Sequence, residues 1–146
     1  MAITKIHKAN GKHFEFETHI NEFLISREKT KSSETFLVII KPDKYTHMHI
    51  HPDVEQTFYI ISGKGIVWTK KSVSGKLKKA CSIKTGDLVF IPLNNWHQIK
   101  SVEKSRLEYI CFNSFPKGFL PGEKTALSHA KNIKKALIKK KMKNEK

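Results

Sequence analysis

The chain has 146 residues, of which 38% are hydrophobic and 10% aromatic, a composition sufficient for one folded domain and unlike that of a disordered chain. No apolar run approaches the roughly 20 residues of a membrane span, and the N-terminus lacks the apolar segment of a secretory signal. Two cysteines, Cys81 and Cys111, are too few for a disulfide framework, so we expect buried structural thiols and a cytoplasmic location.

The formal net charge of +15 raises the question of a nucleic-acid partner. From residue 131 onward there are eight lysines and one glutamate, and residues 1–130 still carry +8 from 20 basic and 12 acidic residues. These basic residues are scattered apart from a cluster at 70–79, and no aromatic residues that could stack on bases are interleaved with them. The pattern favours a solvated lysine-rich surface, and nucleic acid is not an expected partner.

Short apolar runs separated by turn residues dominate the first three quarters of the sequence. They are rich in Ile, Val, Phe, Tyr and Thr, which favours strands. The predicted strands lie at 35–41, 56–61, 65–69, 80–83, 87–92, 97–102 and 106–112, and residues 14–27 add one or two more. Many short strands at this spacing predict an all-β barrel or sandwich.

The last part of the chain has helical rather than strand periodicity. Leu127, Ile133 and Leu137 recur near helical spacing over residues 125–142, after a break at Pro121. We therefore predict a barrel over 1–124 and, over 125–146, a basic amphipathic helix whose three apolar side chains pack on the barrel and which frays from Lys139. A helix lying on a membrane surface is the alternative, disfavoured because the apolar face is thin and lacks Trp and Phe.

Histidines are concentrated in one short segment. His47, His49 and His51 alternate, so in a strand all three would point to one side. Imidazole is the commonest protein ligand for divalent transition metals, and the spacing indicates a metal site. The strand that follows starts with Glu55 and Gln56, which compete for the inward position beside the histidines. A distant strand and turn over 86–97 would deliver a further histidine, His97.

These two segments resemble the two motifs of the cupin superfamily. The first, G-x5-H-x-H-x3/4-E-x6-G, is matched by Asp43, His49, His51, Gln56 and Gly63. The second, G-x5-P-x-G-x2-H-x3-N, is matched by Gly86, Pro92, Asn94, His97 and Ser101. Every interval fits, and the resemblance covers about residues 36–112. It implies a cupin-type double-stranded β-helix, or jelly-roll barrel, with a short C-terminal α-helix.

The resemblance also implies the ligands of one divalent transition metal: His49, His51, Gln56 and His97. Gln56 is selected over Glu55 by the interval to Gly63, and stands where the motif has glutamate. An amide is a neutral ligand, so such a site would be a stronger Lewis acid than a carboxylate site and would hold metal less tightly. Zn, Mn, Fe, Ni and Cu are not distinguished. Asn94 replaces a turn glycine, a mild change because asparagine tolerates left-handed backbone.

A mostly apolar pocket is expected around this centre. Its predicted lining and substrate-binding residues are Phe58, Phe90, Ile99 and Phe112, with Trp96 at the mouth and Arg27 as a carboxylate anchor through its bidentate fork. His47 or Tyr109 would move protons. An exposed edge charge for Arg27 and a rim position for His47 remain as structural alternatives.

Two functional classes follow from the resemblance. The first is a metal-dependent enzyme of isomerase, lyase or dioxygenase type that acts on a small polar molecule such as a sugar or an organic acid. The second is a non-catalytic module that binds a small ligand; an RNA-associated cupin is a weaker third. Cupins similar to this chain are commonly homodimers, and we expect residues 1–27 to contribute to such an interface because they offer edge strands that need covering.

Overall fold

The computed structural model describes residues 2–102, 104–123 and 125–144, the side chain of Ala126 excepted. Nine strands and one α-helix make up the regular structure of these residues, with short 3-10 turns at Lys8–Asn10 and Arg27–Lys29. The elements are β1 (Lys12–Glu15), β2 (His19–Ile25), β3 (Ser33–Ile40), β4 (Glu55–Ser62), β5 (Lys64–Lys70), β6 (Lys78–Lys84), β7 (Leu88–Ile91), β8 (Trp96–Ser101), β9 (Leu107–Ser114) and α1 (Ala126–Asn144).

The strands form two antiparallel sheets that face each other as a jelly-roll β-sandwich. The first sheet has the order β1-β2-β3-β9-β4-β7 and the second the order β6-β5-β8. The non-sequential neighbours arise because β9 returns from the far end of the chain to pair with both β3 and β4. This return brings residues of β3, β4 and β9 side by side, which decides the surroundings of the candidate site.

The core lies between the two sheets and is built mainly by alternation along the strands, although β3 buries Phe36, Leu37 and Val38 in succession. Ile40, Ile60, Ile99 and Leu107 are each at most 1% exposed. They come from β3, β4, β8 and β9, and the residues flanking them point outward. The all-β architecture and the strands predicted from the sequence are confirmed, and residues 14–27 lie in two strands, β1 and β2.

Two turn positions of the motifs adopt left-handed backbone. Asp43 has φ 56° and Asn94 has φ 60°, and both stand where the cupin motifs have glycine. Aspartate and asparagine are the residues that tolerate this conformation best after glycine. The substitutions are therefore compatible with the turns, as expected for Asn94.

Helix α1 packs on the turn between β1 and β2, and of the three residues predicted to pack only Leu127 is exposed. Ala130 is buried and Ile133 and Leu137 are half-buried, whereas Leu127 is 52% exposed. Leu127 is thus not part of the packing face, because that face begins one turn later at Ala130. The helix also continues to Asn144 rather than fraying from Lys139, and the Nζ of Lys141 lies 2.9 Å from the Oε2 of Glu17. Residues 145 and 146 lie outside the described part of the chain.

The two cysteines differ in their burial. Cys111 is buried, as predicted, but Cys81 is half-buried, and both are free thiols. Among the described residues, no helix combines the length and the apolar character that crossing a bilayer requires.

Candidate metal centre

Two separate segments deliver the histidines to one end of the sandwich. The segment before β4 runs along β8 without forming a regular strand, and His49 and His97 form an antiparallel bridge there. The backbone N–H of His49 donates to the carbonyl of His97 at 3.1 Å, and the N–H of His97 donates back at 2.9 Å. Thr46 makes the next contact along, its N–H donating to the carbonyl of Ile99 at 2.9 Å. Backbone pairing thus fixes the two histidines opposite each other.

Three imidazole rings converge at this point. One ring nitrogen each of His49, His51 and His97 lie within 4.8 Å of one another. The ring centroids are 4.7 Å apart for His49 and His51 and 4.2 Å apart for His49 and His97. His97 is only 2% exposed, whereas His49 and His51 are half-buried. The cluster is therefore reachable from the side of His49 and His51.

The rings are neutral, and the free nitrogen of His49 can be identified. Burial, together with the neighbouring histidines, lowers the pKa of His51 to about 2 and that of His97 to about 3, and burial lowers the pKa of His49. The Nδ1 of His97 lies 2.8 Å from the carbonyl of Asn95, and the Nδ1 of His49 lies 2.6 Å from the carbonyl of His47. Because a carbonyl only accepts, the Nδ1 of His49 carries the proton and its Nε2 presents a lone pair. The ring of His97 faces an acceptor through each of its nitrogens, and a neutral ring can donate to only one of them.

Gln56 completes the cluster from β4. Its Oε1 lies 3.0 Å from the Nε2 of His97, and the residue is 6% exposed. In the tautomer of His97 that donates from Nδ1 to the carbonyl of Asn95, the lone pairs of Nε2 and Oε1 face each other, which is a mismatch. A cation bound by both atoms would remove this mismatch. The donor set of three imidazoles and an amide oxygen suits a divalent transition metal.

The structure separates Gln56 from its competitor Glu55. Gln56 points inward, where its register partners are Ile91 on β7 and Asn113 on β9. Glu55 points to the other face of the sheet and borders a surface groove. Gln56, as the motif interval predicts, is therefore the side chain that reaches the histidines.

The predicted apolar lining is only partly placed near the interior. Phe58 and Tyr109 are both 3% exposed and pack against each other, with ring centroids 4.8 Å apart. Phe90 and Phe112 are 55% and 46% exposed and flank Thr57 on the outer face of the sheet. Their predicted place in the pocket is wrong, because Ile91 and Cys111, the residues adjacent to them, take the inward positions.

Trp96 and Tyr109 also differ from their predicted roles. Trp96 precedes the buried His97 on β8 and therefore faces the opposite side, where the Nζ of Lys70 lies 4.5 Å from its ring centroid. This orientation is incompatible with a cap over the pocket mouth. Tyr109 lies within the core, and burial raises its pKa well above the ordinary value. Its hydroxyl keeps its proton at neutral pH, which speaks against a role as a base.

Arg27 is neither an exposed edge charge nor a free anchor. It is 3% exposed, and its Nε donates to the Oε2 of Glu34 at 2.7 Å while its Nη2 donates to the Oε1 at 3.2 Å. Its Nη1 donates to the carbonyl of Glu123 at 2.7 Å, and the guanidinium lies 4.8 Å from the ring centroid of Phe115. The bidentate fork predicted for a substrate carboxylate is thus occupied by Glu34.

His47 lies apart from the three-nitrogen cluster. Its side chain lines a groove of about 230 Å³ between α1 and the turn after β1, together with Phe16, Lys134 and Leu137. Burial and nearby lysines of α1 lower its pKa. The prediction that His47 points with His49 and His51 to one site is therefore not met, because the segment is not a regular strand.

Sequence reasoning missed the buried polar neighbours of Gln56. Glu34 on β3 and Asn113 on β9 are 1% and 6% exposed and lie behind the ligand cluster. Alternation from the inward Cys111 places Asn113 inward, but the predicted strand ended at residue 112. Glu34 carried no signal in the sequence, because a lone glutamate is usually exposed.

A family model described as a cupin domain matches residues 36–113, more than half of the chain. This chain belongs to the cupin family. The match begins in β3 and ends at Asn113, so it contains all four residues of the candidate centre. Among curated protein sequences, none matches this cupin.

Solved structures with the same fold include oxalate-metabolising enzymes. An oxalate decarboxylase of Lactobacillus farciminis in complex with formate has a TM-score of 0.64 at 16% identity, covering 86% of this chain and 36% of that one. A predicted oxalate decarboxylase of Thermotoga maritima has a TM-score of 0.64 at 18% identity, covering 77% and 99%. Oxalate decarboxylase of Bacillus subtilis has a TM-score of 0.63 at 19% identity, covering 74% and 28%. This cupin thus spans about a third of two of these chains, and identities this low establish the fold alone.

Proposed function

We propose that this cupin binds one divalent transition metal ion through His49, His51, Gln56 and His97 and acts on a small organic acid. The observation that carries the proposal is the convergence of ring nitrogens of His49, His51 and His97 within 4.8 Å of one another, with the Oε1 of Gln56 lying 3.0 Å from the Nε2 of His97. Buried polar atoms are paired in folded proteins, and a bound cation would pair the Oε1 of Gln56 and the Nε2 of His97 at once.

The protonation state of the cluster favours metal binding. Since the pKa values of His51 and His97 lie at about 2 and about 3, the metal would not have to displace protons from them at neutral pH. All four ligands are neutral, so a bound divalent ion would keep its full charge. An anionic ligand would compensate this charge better than a neutral sugar, which is why we favour an organic acid.

The neighbouring structures agree with this substrate class. They include an oxalate decarboxylase with formate and an oxalate oxidase with glycolate, both small carboxylates. When bound, the ion would act as a Lewis acid on a carboxylate or carbonyl oxygen of the substrate. The chain itself would hold the ion on one buried side with Gln56 and His97. The half-buried rings of His49 and His51 would border the side open to the substrate.

A non-catalytic binding module is the second candidate, and one observation favours it. Two groups predicted to serve the substrate, Arg27 and Tyr109, are both engaged in internal contacts. A metal with an open position but no nearby acid or base would bind a carboxylate without converting it. His47 is the remaining predicted proton carrier, and it lines the groove beside α1, apart from the three-histidine cluster. The enzyme hypothesis therefore depends on the chemistry that the metal would supply.

Elemental analysis and a ligand panel test the proposal. Protein purified without chelator should contain about one first-row divalent metal per chain, and chelator-treated protein should regain it from solutions of Mn, Fe, Ni, Cu or Zn. Reloaded protein should bind oxalate, glycolate or formate more tightly than glucose in calorimetry. Conversion of the bound acid to a product indicates the enzyme, and binding without turnover indicates the module. Failure of every metal to bind would refute the centre.

A further inference from the structure

A continuous chain of buried hydrogen bonds leads away from Gln56 across the first sheet, from β4 through β9 to β3. The Nε2 of Gln56 lies 3.0 Å from the Oδ1 of Asn113, and the Nδ2 of Asn113 lies 2.8 Å from the Oε1 of Glu34. Glu34 is in turn held by Arg27, with a shortest distance of 2.7 Å. All four residues are at most 6% exposed. We call this set the polar relay.

The polar relay has one direction, set from its charged end. Arg27 has only donors, so both oxygens of Glu34 accept. Asn113 must then turn its NH2 group to Glu34 and its Oδ1 to Gln56, and the Sγ of Cys111, 3.2 Å away, can donate to that same oxygen. Because the Oδ1 of Asn113 only accepts, the group of Gln56 that faces it must be the NH2. The Oε1 of Gln56 is left facing His97.

We propose that Asn113 and Glu34 are positioning residues that turn the amide of Gln56 so that its oxygen, not its nitrogen, faces the metal. This inference rests on the proposed metal centre and adds the device that orients one ligand. It also accounts for glutamine at the motif's glutamate position. A glutamate at position 56 would have no hydrogen to donate to the Oδ1 of Asn113. Only the side-chain amide of Asn113 would separate its carboxylate from that of Glu34.

The test compares cobalt binding by three variants of chelator-treated protein. Asn113→Leu removes the acceptor and frees the amide to rotate. We expect cobalt affinity to fall about 10- to 100-fold, the usual effect of losing a residue that orients a ligand, with a changed visible absorption spectrum. Ser101→Ala is the matched control. Ser101 is 0% exposed and donates to the carbonyl of Ser105, remote from the polar relay, so its affinity and spectrum should equal those of the wild type.

The double variant Glu34→Gln/Asn113→Asp separates orientation from packing. It moves the carboxylate one place along the polar relay, so the net charge is unchanged. The new amide at position 34 can donate to the new carboxylate at position 113, which still presents an acceptor to Gln56. Cobalt affinity and spectrum should return to about the wild-type values. Because the amide at position 34 keeps only one of the two bonds to Arg27, circular dichroism checks that each variant is folded before cobalt is added.

The outcomes distinguish this inference from the proposed function. If wild-type protein binds no cobalt or other divalent metal, both are overturned. If the wild type binds cobalt and folded Asn113→Leu binds it as tightly with the same spectrum, only the positioning role is overturned. A double variant that folds but stays about 10-fold or more weaker than wild type likewise counts against the polar relay.

Discussion

The Oε1 of Gln56 lies 3.0 Å from the Nε2 of His97, because the amide of Gln56 turns its oxygen to the ring and its nitrogen to Asn113. Each is held in this orientation by a bond on its other side: His97 through the carbonyl of Asn95, and Gln56 through Asn113. Neither side chain can leave the contact without breaking a buried hydrogen bond, which would cost about 1–3 kcal/mol. The two atoms are therefore held in place as a pair of candidate ligands for a cation.

Substitution of a ligand should abolish metal retention, while substitution of its neighbour should not. We expect His49→Ala to lose most bound metal, because three ligands would remain in a set that already lacks a carboxylate. Glu55→Ala is the control, since Glu55 faces the outer groove, and should retain wild-type metal content. Metal per chain is measured by elemental analysis after dialysis. If Glu55→Ala lost the metal and Gln56→Ala retained it, Glu55 and not Gln56 would be the ligand.

Removal of the buried guanidinium should destabilise the protein strongly. Arg27→Met leaves Glu34 charged and nearly fully buried, and breaking a buried pair in this way costs about 3–5 kcal/mol. Arg106→Met is the matched control, because Arg106 is 60% exposed where it pairs with Glu108. Its loss should change the free energy of unfolding by less than about 1 kcal/mol. Urea unfolding at pH 7 measures both, and similar losses in the two variants would contradict the prediction.

His19 should make stability depend on pH. Burial, followed by the charges of His49 and His47, lowers its pKa to about 4, and its ring stacks on Phe16. Between about pH 6.5 and about pH 4 the unfolded chain binds a proton that the folded chain does not. The contribution of neutral His19 to the free energy of unfolding is thus complete above about pH 6.5. It is lost as the pH falls toward about 4, by up to about 3 kcal/mol.

The variant His19→Phe keeps the stacked ring and removes the titration. In urea unfolding, the wild type should lose more free energy of unfolding between pH 7 and pH 5 than the variant does. Other histidines titrate in both proteins, so the difference between the two isolates His19. Identical pH dependence would show that the ring of His19 is not protected from protonation in the folded state.

The local pattern of the sequence predicted most of the fold because strands and turns are encoded locally. The bounds of β4 and β5 extend the predicted strands by only one residue at each end. The directions of Phe90 and Phe112 were wrong because a one-residue shift in register turns a side chain to the other face of the sheet. In a strand as short as β7, apolar residues on both faces hide the register.

The candidate site was predictable where it follows sequence spacing and unpredictable where it follows topology. His49, His51, Gln56 and His97 were identified from intervals within two motifs. Glu34 and Asn113 are 79 residues apart and become neighbours only because β9 inserts between β3 and β4. No local pattern reports such a contact, and the polar relay could be recognised only in three dimensions.

We predict that this cupin is a homodimer with residues 1–27 in the interface. Strand β1 forms one edge of the larger sheet, and an uncovered edge invites pairing with a second chain. The variant His13→Pro, at an exposed position of β1, should weaken that edge and give a monomeric mass in light scattering at micromolar concentration. Phe90→Ser/Phe112→Ser, on the outer face of the sheet at and near the opposite edge, should remain dimeric. A dimer disrupted by the phenylalanine variant alone would move the interface to β7.

Two truncations should separate the lysine-rich tail from the packed part of α1. The side chains at 139–144, the described residues after Ile138, are exposed, and Lys141 pairs with Glu17 at the surface. Removal of the residues after Ile138 should therefore change stability by less than about 1 kcal/mol, and metal content should persist.

Truncation before Leu127 also removes Ala130, Ile133 and Leu137, which pack on the barrel. It should lower the free energy of unfolding by about 2–4 kcal/mol, since full burial of one such side chain is worth about 1.5–3 kcal/mol. Urea unfolding and elemental analysis measure both proteins. If the tail instead served nucleic acid, full-length protein would bind RNA with an affinity falling steeply with salt, because neutralised phosphates release counterions. Such binding, abolished by the cut after Ile138, would contradict the interpretation of the tail as a solvated helix end.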